Sequence, residues 1–246
     1  PDGCLYVADM YRETIEHPWS IPESIKKHLD LDSGNDRGRI WRIAPNGFKP
    51  PKRALPGNVK TTQLVELLAH ANGWTRDCAA RLIYERQDKS IVSALTKLAA
   101  DNKKPLGQTH ALWALNGLGA LKKEHVLQAL EKGKPEVRVQ GMILAEYFAD
   151  QAEVTKAVYA QKDQADQHVL YQLALTASRL PQSDSRKLAL ATVLGKAGGD
   201  KWIEAAVMNG LSDDLGTMWV AIHGAPSVSA SAKIEFLKLI GRRSKP

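Results

Sequence analysis

Asp30, Asp32 and Asp36 fall inside one short polar run, Asp-Leu-Asp-Ser-Gly-Asn-Asp over residues 30–36. Carboxylates spaced this closely are what hard cations such as calcium take as oxygen ligands. Counted as a calcium loop from Asp30, the sixth position, where the sharp turn wants glycine, is Asn35, and the twelfth, where a bidentate glutamate closes the site, is Trp41. The run therefore reads better as a turn whose Asp and Asn side chains bond their own backbone, with calcium as the weaker alternative. His17, beside Pro18 and Trp19, and His28 have the chemistry of ligands or proton carriers. A histidine set against proline and tryptophan is more often packed and hydrogen-bonded. Cys4 and Cys78 belong to no metal or haem-attachment spacing and read as two buried or half-buried thiols, a Cys4–Cys78 disulfide being the alternative.

A second set of polar residues recurs further along: Arg76 and Asp77, Gln108 and His110, Glu136 and Arg138, Gln167 and His168. Each pair opens a helical segment. Stacked along a repeat, Arg76, Asp77, His110, Arg138 and His168 would form a ladder that reads an extended partner, or one that fixes the stacking of the repeats. The aromatic residues Trp74, Trp113, Tyr147, Tyr171 and Trp202 are expected in the core. No glycine-rich phosphate loop, Gly-x-Ser-x-Gly elbow or His-Glu-x-x-His pair occurs. No catalytic or cofactor-binding residue is assigned.

The elements that must position these groups change character near Pro56. Residues 1–55 carry two strand patterns, Cys4–Met10 and Gly38–Ile43, the second closed by a turn at Asn46-Gly47. Between them runs a long excursion, Tyr11–Arg37, with a short helix expected over Glu23–Leu29. Two strands cannot make a sheet that stands alone, so the front piece reads as a section of something larger. Pro50-Pro51 and Pro56-Gly57 mark a linker, drawn at residues 56–60.

From residue 61 to 246 the pattern is a run of amphipathic helix pairs: Thr61–His70 with Thr75–Arg86, Ser90–Ala100 with Gln108–Leu118, and Lys123–Glu131 with Glu136–Phe148. Glu153–Gln161 with Gln167–Leu180, Ser185–Lys196 with Lys201–Leu211, and a less regular Asp213–Ile222 with Ser231–Arg242 complete it. Small residues recur at Ala79, Ala111, Gly141 and Ala174, spaced 32, 30 and 33 apart. This predicts a mainly α protein, a HEAT-like α-solenoid of about five to six helix pairs preceded by a short β segment.

The net charge of +7, from 34 basic and 27 acidic residues, is spread along the chain. A basic surface can meet phosphates or an acidic partner, but no concentrated Arg/Lys stripe supports nucleic-acid binding. No apolar run reaches the length of a membrane span, and the chain opens on Pro1-Asp2-Gly3 without the pattern of a signal peptide.

Asp2-Gly3-Cys4-Leu5-Tyr6-Val7-Ala8-Asp9-Met10-Tyr11, His17-Pro18-Trp19-Ser20-Ile21-Pro22, Lys26-Lys27-His28-Leu29 and Ser33-Gly34-Asn35-Asp36-Arg37-Gly38-Arg39-Ile40-Trp41-Arg42-Ile43 together resemble the last blade of a β-propeller. The family is that of the large secreted planctomycete proteins labelled membrane-bound dehydrogenase-like or haem-binding. The resemblance implies a parent with a propeller similar to quinoprotein sugar or alcohol dehydrogenases, HEAT-type repeats and a cytochrome c domain with haem c, in an extracytoplasmic location. It implies that this chain is a non-catalytic spacer whose partners are the rest of its parent, with Trp19, Pro22, Trp41 and Arg42 packing the junction of blade and helices. The chain departs from the pattern in lacking the other blades and any Cys-x-x-Cys-His. The alternative is a stand-alone HEAT-like binding protein for a protein or nucleic-acid partner.

Overall fold

The computed structural model describes residues 2–49, 58–197, 199–210, 215–224, 226 and 230–243, so the Pro50-Pro51 and Pro56-Gly57 signals lie outside the described residues. The chain divides into two compact units, Pro1–Ala54 and Leu55–Pro246. In the front unit, strand β1 (Leu5–Asp9) pairs antiparallel with β2 (Arg39–Ile43). Leu5 faces Ile43, Val7 faces Trp41 and Asp9 faces Arg39, so these six side chains share one side of the sheet. Tyr6 with Arg42 and Ala8 with Ile40 occupy the other.

The excursion between the strands is tied back where it leaves β1. Tyr11 takes a positive φ of 52° and its carbonyl oxygen lies against Gly34, where a Cβ would sit 1.8 Å away. Only glycine fits there, and its φ of +75° is itself in the left-handed region. Arg12 Nη2 donates to the Leu31 carbonyl and closes the same loop. Helix α1 (Glu23–Lys26) stops short of the expected Leu29 because the chain tightens into i→i+3 bonds, His28 N–H to Ile25 O at 2.9 Å and Leu29 N–H to Lys26 O at 3.1 Å. The Asn46-Gly47 turn forms, with Phe48 N–H donating to Pro45 O at 3.0 Å and Gly47 at φ +74°.

The second unit is helical. The first members of its pairs are α2 (Thr61–Leu67), α4 (Val92–Ala99), α6 (Lys123–Lys132), α8 (Ala152–Tyr159) and α10 (Asp184–Lys196). The second members are α3 (Gly73–Arg86), α5 (Pro105–Gly117), α7 (Pro135–Ala145), α9 (Gln167–Arg179) and α11 (Lys201–Gly210). Each first helix packs on its own second helix, firsts pack on the next firsts, and seconds on the next seconds, which is the two-layer stacking of a helical-repeat array.

Several start signals explain why helices begin where they do. Asn72 Oδ1 caps α3, Asp166 Oδ1 caps α9 and Ser183 Oγ caps α10, while Pro105 and Pro135 occupy the first turns of α5 and α7. The prolines start these two helices earlier than Gln108 and Glu136, where the apolar pattern alone places them. The core is aliphatic and continuous, running from Leu64, Ile83 and Leu95 through Leu112, Leu130 and Met142 to Leu170, Leu173 and Val193. Ala79, Ala111 and Ala174 are fully buried, and a Cβ on Gly141 would lie 3.1 Å from Ala129 Cβ.

The last pair, α12 (Leu215–Gly224) and α13 (Ala230–Arg243), departs from the regular stacking: both pack on α10 as well as on each other. Trp219 stacks on the buried Phe236 at 6.3 Å between ring centroids. No helix among the described residues is long and apolar enough to cross a membrane.

Candidate functional site

In the front unit two carboxylates hold the hairpin, one on each side. Asp9 accepts from Trp41 Nε1 at 2.8 Å and from the Tyr11 N–H at 2.8 Å, and pairs with Arg39 at 3.2 Å. The Arg39 guanidinium lies 3.7 Å from the Tyr11 ring centroid and 5.2 Å from that of Trp41. Asp2 accepts from the Cys4 N–H at 3.0 Å, the Tyr6 hydroxyl at 2.8 Å and Arg42 Nε at 2.9 Å. These bonds hold Asp2 well below the usual carboxylate range, the Cys4 N–H and the Tyr6 hydroxyl contributing most, and lower Asp9 through Trp41 first and then Tyr11.

Of the four junction residues, Trp41 and Arg42 belong to these clamps. Trp19 is 91% exposed, its ring edge-on to His17 at 6.0 Å and its backbone N–H donating to His17 Nδ1 at 3.2 Å. Pro22 precedes α1. In the acidic run, Asp30 Oδ1 accepts from the Asp32 N–H at 3.0 Å and Asp36 lies 3.7 Å from Arg37. Among the described residues no group of three His, Cys, Asp or Glu side chains is placed to hold a metal ion. Cys4 and Cys78 are free thiols, both half-buried.

Arg76, Gln108 and Arg138 turn inward, toward helix ends. Arg76 donates to the carbonyls of His70 at 2.8 Å and Ala71 at 3.0 Å, just past α2, and through Nε to His110 Nε2 at 3.2 Å. Arg138 closes the end of α6, donating to the carbonyls of Leu130 at 2.6 Å, Glu131 at 2.8 Å and Gly133 at 2.7 Å, and also to Gln161 Oε1 at 2.9 Å. The buried Gln108 does the same for α4, with Nε2 donating to Ala99 O at 3.1 Å. Orphan carbonyls at a helix C-terminus carry partial negative charge, and a guanidinium there satisfies both their hydrogen bonds and the dipole.

Arg76, Gln108 and Arg138 each stand three residues before a small residue of the repeat, Ala79, Ala111 and Gly141, so they occupy one recurring position. Asp77 is exposed. His168 is exposed too, its Nδ1 3.6 Å from Asp166. Arg76 and His110 are thus brought together, while Arg138 and His168 have their own partners. Burial, and then Arg76, lower the His110 pKa, which keeps its Nε2 free to accept.

The aromatic residues expected in the core are not there. Trp202 is 72% exposed, Trp113 is 37% exposed, and Trp74, Tyr147 and Tyr171 also reach solvent. The buried stripe is taken by smaller residues, Thr75, Ala79 and Ile83 on α3 and Ile203, Ala206 and Val207 on α11, and the aromatics fall between its positions. Trp113 Nε1 donates to Gln140 Oε1 on the next second helix at 2.9 Å. Tyr171, Trp202, His168 and Asp200 line a cavity of about 320 Å³ between the starts of α9 and α11. An aromatic wall beside a carboxylate, Asp200, suits an apolar or cationic side chain.

Residues 1–47 match a family model described as a domain of unknown function, DUF7133. No curated protein and no solved structure matches the chain. The matched span takes in the hairpin, both carboxylate clamps and the whole excursion, including Gly34.

Sequence reasoning missed Arg186, which is buried in the first turn of α10. Nothing in its neighbours along the chain signals this, since its burial comes from the end of α11 folding over it: Arg186 Nη2 donates to the Gly210 carbonyl.

Proposed function

We propose that this chain is a non-catalytic scaffold and spacer in an extracytoplasmic redox protein, in which the end of a propeller blade leads into a HEAT-like helical array. One observation carries the reading: the hairpin of the front unit keeps apolar residues in water on both sides, Leu5, Val7, Trp41 and Ile43 on one and Ile40 on the other. Its two strands form the whole sheet among the described residues, so each has an unpaired edge. Two strands are marginal in water and open edges invite pairing, and further strands of a blade would cover both. The match of residues 1–47 to one family model supports this stretch as a recurring unit.

By resemblance the parent would carry a propeller of the quinoprotein dehydrogenase kind and a c-type haem. The residues present do not fit that haem, because Cys4 and Cys78 stand in separate units and neither begins a Cys-x-x-Cys-His. In this reading the haem is bound elsewhere in the parent, and the helical array holds its neighbours apart. The test is to recover the reading frame around this segment and record reduced-minus-oxidised absorbance spectra of the expressed parent. Preceding propeller blades with a reducible c-type spectrum are the expected result. A frame coding for this chain alone, with no haem absorbance, would overturn the reading and leave a stand-alone helical-repeat binding protein, for which the exposed Trp202 and Tyr171 cavity is the natural surface.

A further inference from the structure

Arg186 is only 6% exposed, yet it has no ion-pair partner among the described residues. Its Nη2 donates to the Gly210 carbonyl, and its Nε is buried without an acceptor. Arginines are almost never buried unless a counter-charge accompanies them, because an uncompensated charge in a low-dielectric interior is strongly unfavourable. Two further features worsen its position. It sits in the first turn of α10, the positive end of that helix's dipole, where cations are disfavoured. Among the described residues the only group whose charge would favour its ionised form is the phenol of Tyr159, which burial pushes up in pKa and so keeps neutral near pH 7.

Arg186 also forms part of the wall of a cavity of about 510 Å³, together with Arg179, Ser178, Gln182, Asn209 and Gly210. Arg179 on the same wall already pairs with Glu146 at 3.4 Å. Asp150 is the one acid on the wall among the described residues; it accepts from Gln151 Nε2 at 3.1 Å. We propose that this cavity is a binding site for a small oxyanion, a carboxylate or a phosphate, held by Arg186 with Arg179 and the amide of Asn209. A planar guanidinium matches either group, and an oxyanion supplies the counter-charge that Arg186 lacks among the described residues. The site is independent of the redox-scaffold reading.

Isothermal titration calorimetry of the full 246-residue chain with sodium phosphate, and separately with sodium acetate, at ionic strength held constant with sodium chloride, tests this. At least one of the two is expected to bind at a single saturable site with Kd of about 1 mM or tighter. Tighter phosphate identifies a phosphorylated ligand, and tighter acetate a carboxylate. Arg186→Gln should weaken binding by about tenfold or more. Should that variant not fold, Asn209→Trp, at an exposed position on the rim, should abolish binding in a folded protein. No saturable heat with either anion, or affinity unchanged in these variants, overturns the proposal.

Discussion

The two units hold themselves together by different means. No described residue of the front unit is buried, and its hairpin is kept in register by Asp2 and Asp9 reaching across to Arg42, Trp41 and Arg39. The helical unit has a continuous aliphatic core and uses its charged side chains to close helix ends. Exposed ion pairs contribute about 0–1 kcal/mol each, whereas a fully buried leucine contributes about 1.5–3 kcal/mol. The helical unit therefore carries its own stability, and the front unit is organised by exposed polar contacts without a core of its own among the described residues.

The largest test of this contrast is truncation in the two units. Leu112→Ala, at a fully buried position of α5, should cost about 2–5 kcal/mol in urea denaturation followed by far-UV circular dichroism. Leu5→Ala on the hairpin should change the same transition by less than about 0.5 kcal/mol. Comparable losses at both positions would mean that the hairpin has a core after all. Next in size is Arg138→Ala. It strips the end of α6 of a guanidinium that makes bonds to three carbonyls and to Gln161, and should cost about 1.5–3 kcal/mol. Arg42→Ala, which breaks an exposed clamp, should leave that transition where it is.

How much of this was legible in the sequence follows from the range of the forces involved. The helix pairs could be read because burial on a helix repeats locally, and the row Ala79, Ala111, Gly141, Ala174 marks where neighbouring helices touch. The strands could be read from alternation, but their pairing could not. That Asp9 faces Arg39 depends on how the excursion folds back, through Arg12 to Leu31 and Tyr11 against Gly34. The ladder residues were legible as polar helix starts, yet the inward turn of Arg76 and Arg138 onto carbonyls at the end of the preceding helix is a tertiary fact. The aromatics were misread because size suggested burial, while their positions on these helices fall between those of the buried stripe. Arg186 left no trace, since the residue that buries it, Gly210, comes 24 positions later.

Acid should separate the units next, with a smaller effect. Burial lowers the pKa of both His110 and His125. Their neutral forms accept from Arg76 Nε and from the Lys122 N–H, and His125 Nε2 lies 3.3 Å from Thr96 Oγ1. A histidine with a depressed folded pKa binds protons more readily when unfolded. Its contribution is therefore complete above the unfolded value of about 6.5 and is lost as the pH falls through that value toward the folded one. Asp2 and Asp9 are depressed carboxylates, so their contribution persists until the pH falls below about 3.9. Between pH 7 and pH 5 the helical transition should soften while Trp41 fluorescence, read in a variant whose other tryptophans are replaced by phenylalanine, stays unchanged. Simultaneous loss would contradict the separation.

One further small effect is the most telling, because it is expected to be small only in this chain. Ile40 is exposed on the hairpin face opposite Trp41. Ile40→Thr keeps the β-branched shape that suits a strand and removes only apolar surface from water. Here it should move stability by less than about 0.5 kcal/mol and reduce the binding of an apolar fluorescent dye. In a parent whose neighbouring strands bury that face, the same substitution places a hydroxyl in an apolar contact and should cost about 1–3 kcal/mol. A difference between the two contexts measures the covering that the front unit lacks here. Equal, small effects in both would mean that the face is open to solvent in the parent as well, and the blade reading would then fail at the residue on which it most depends.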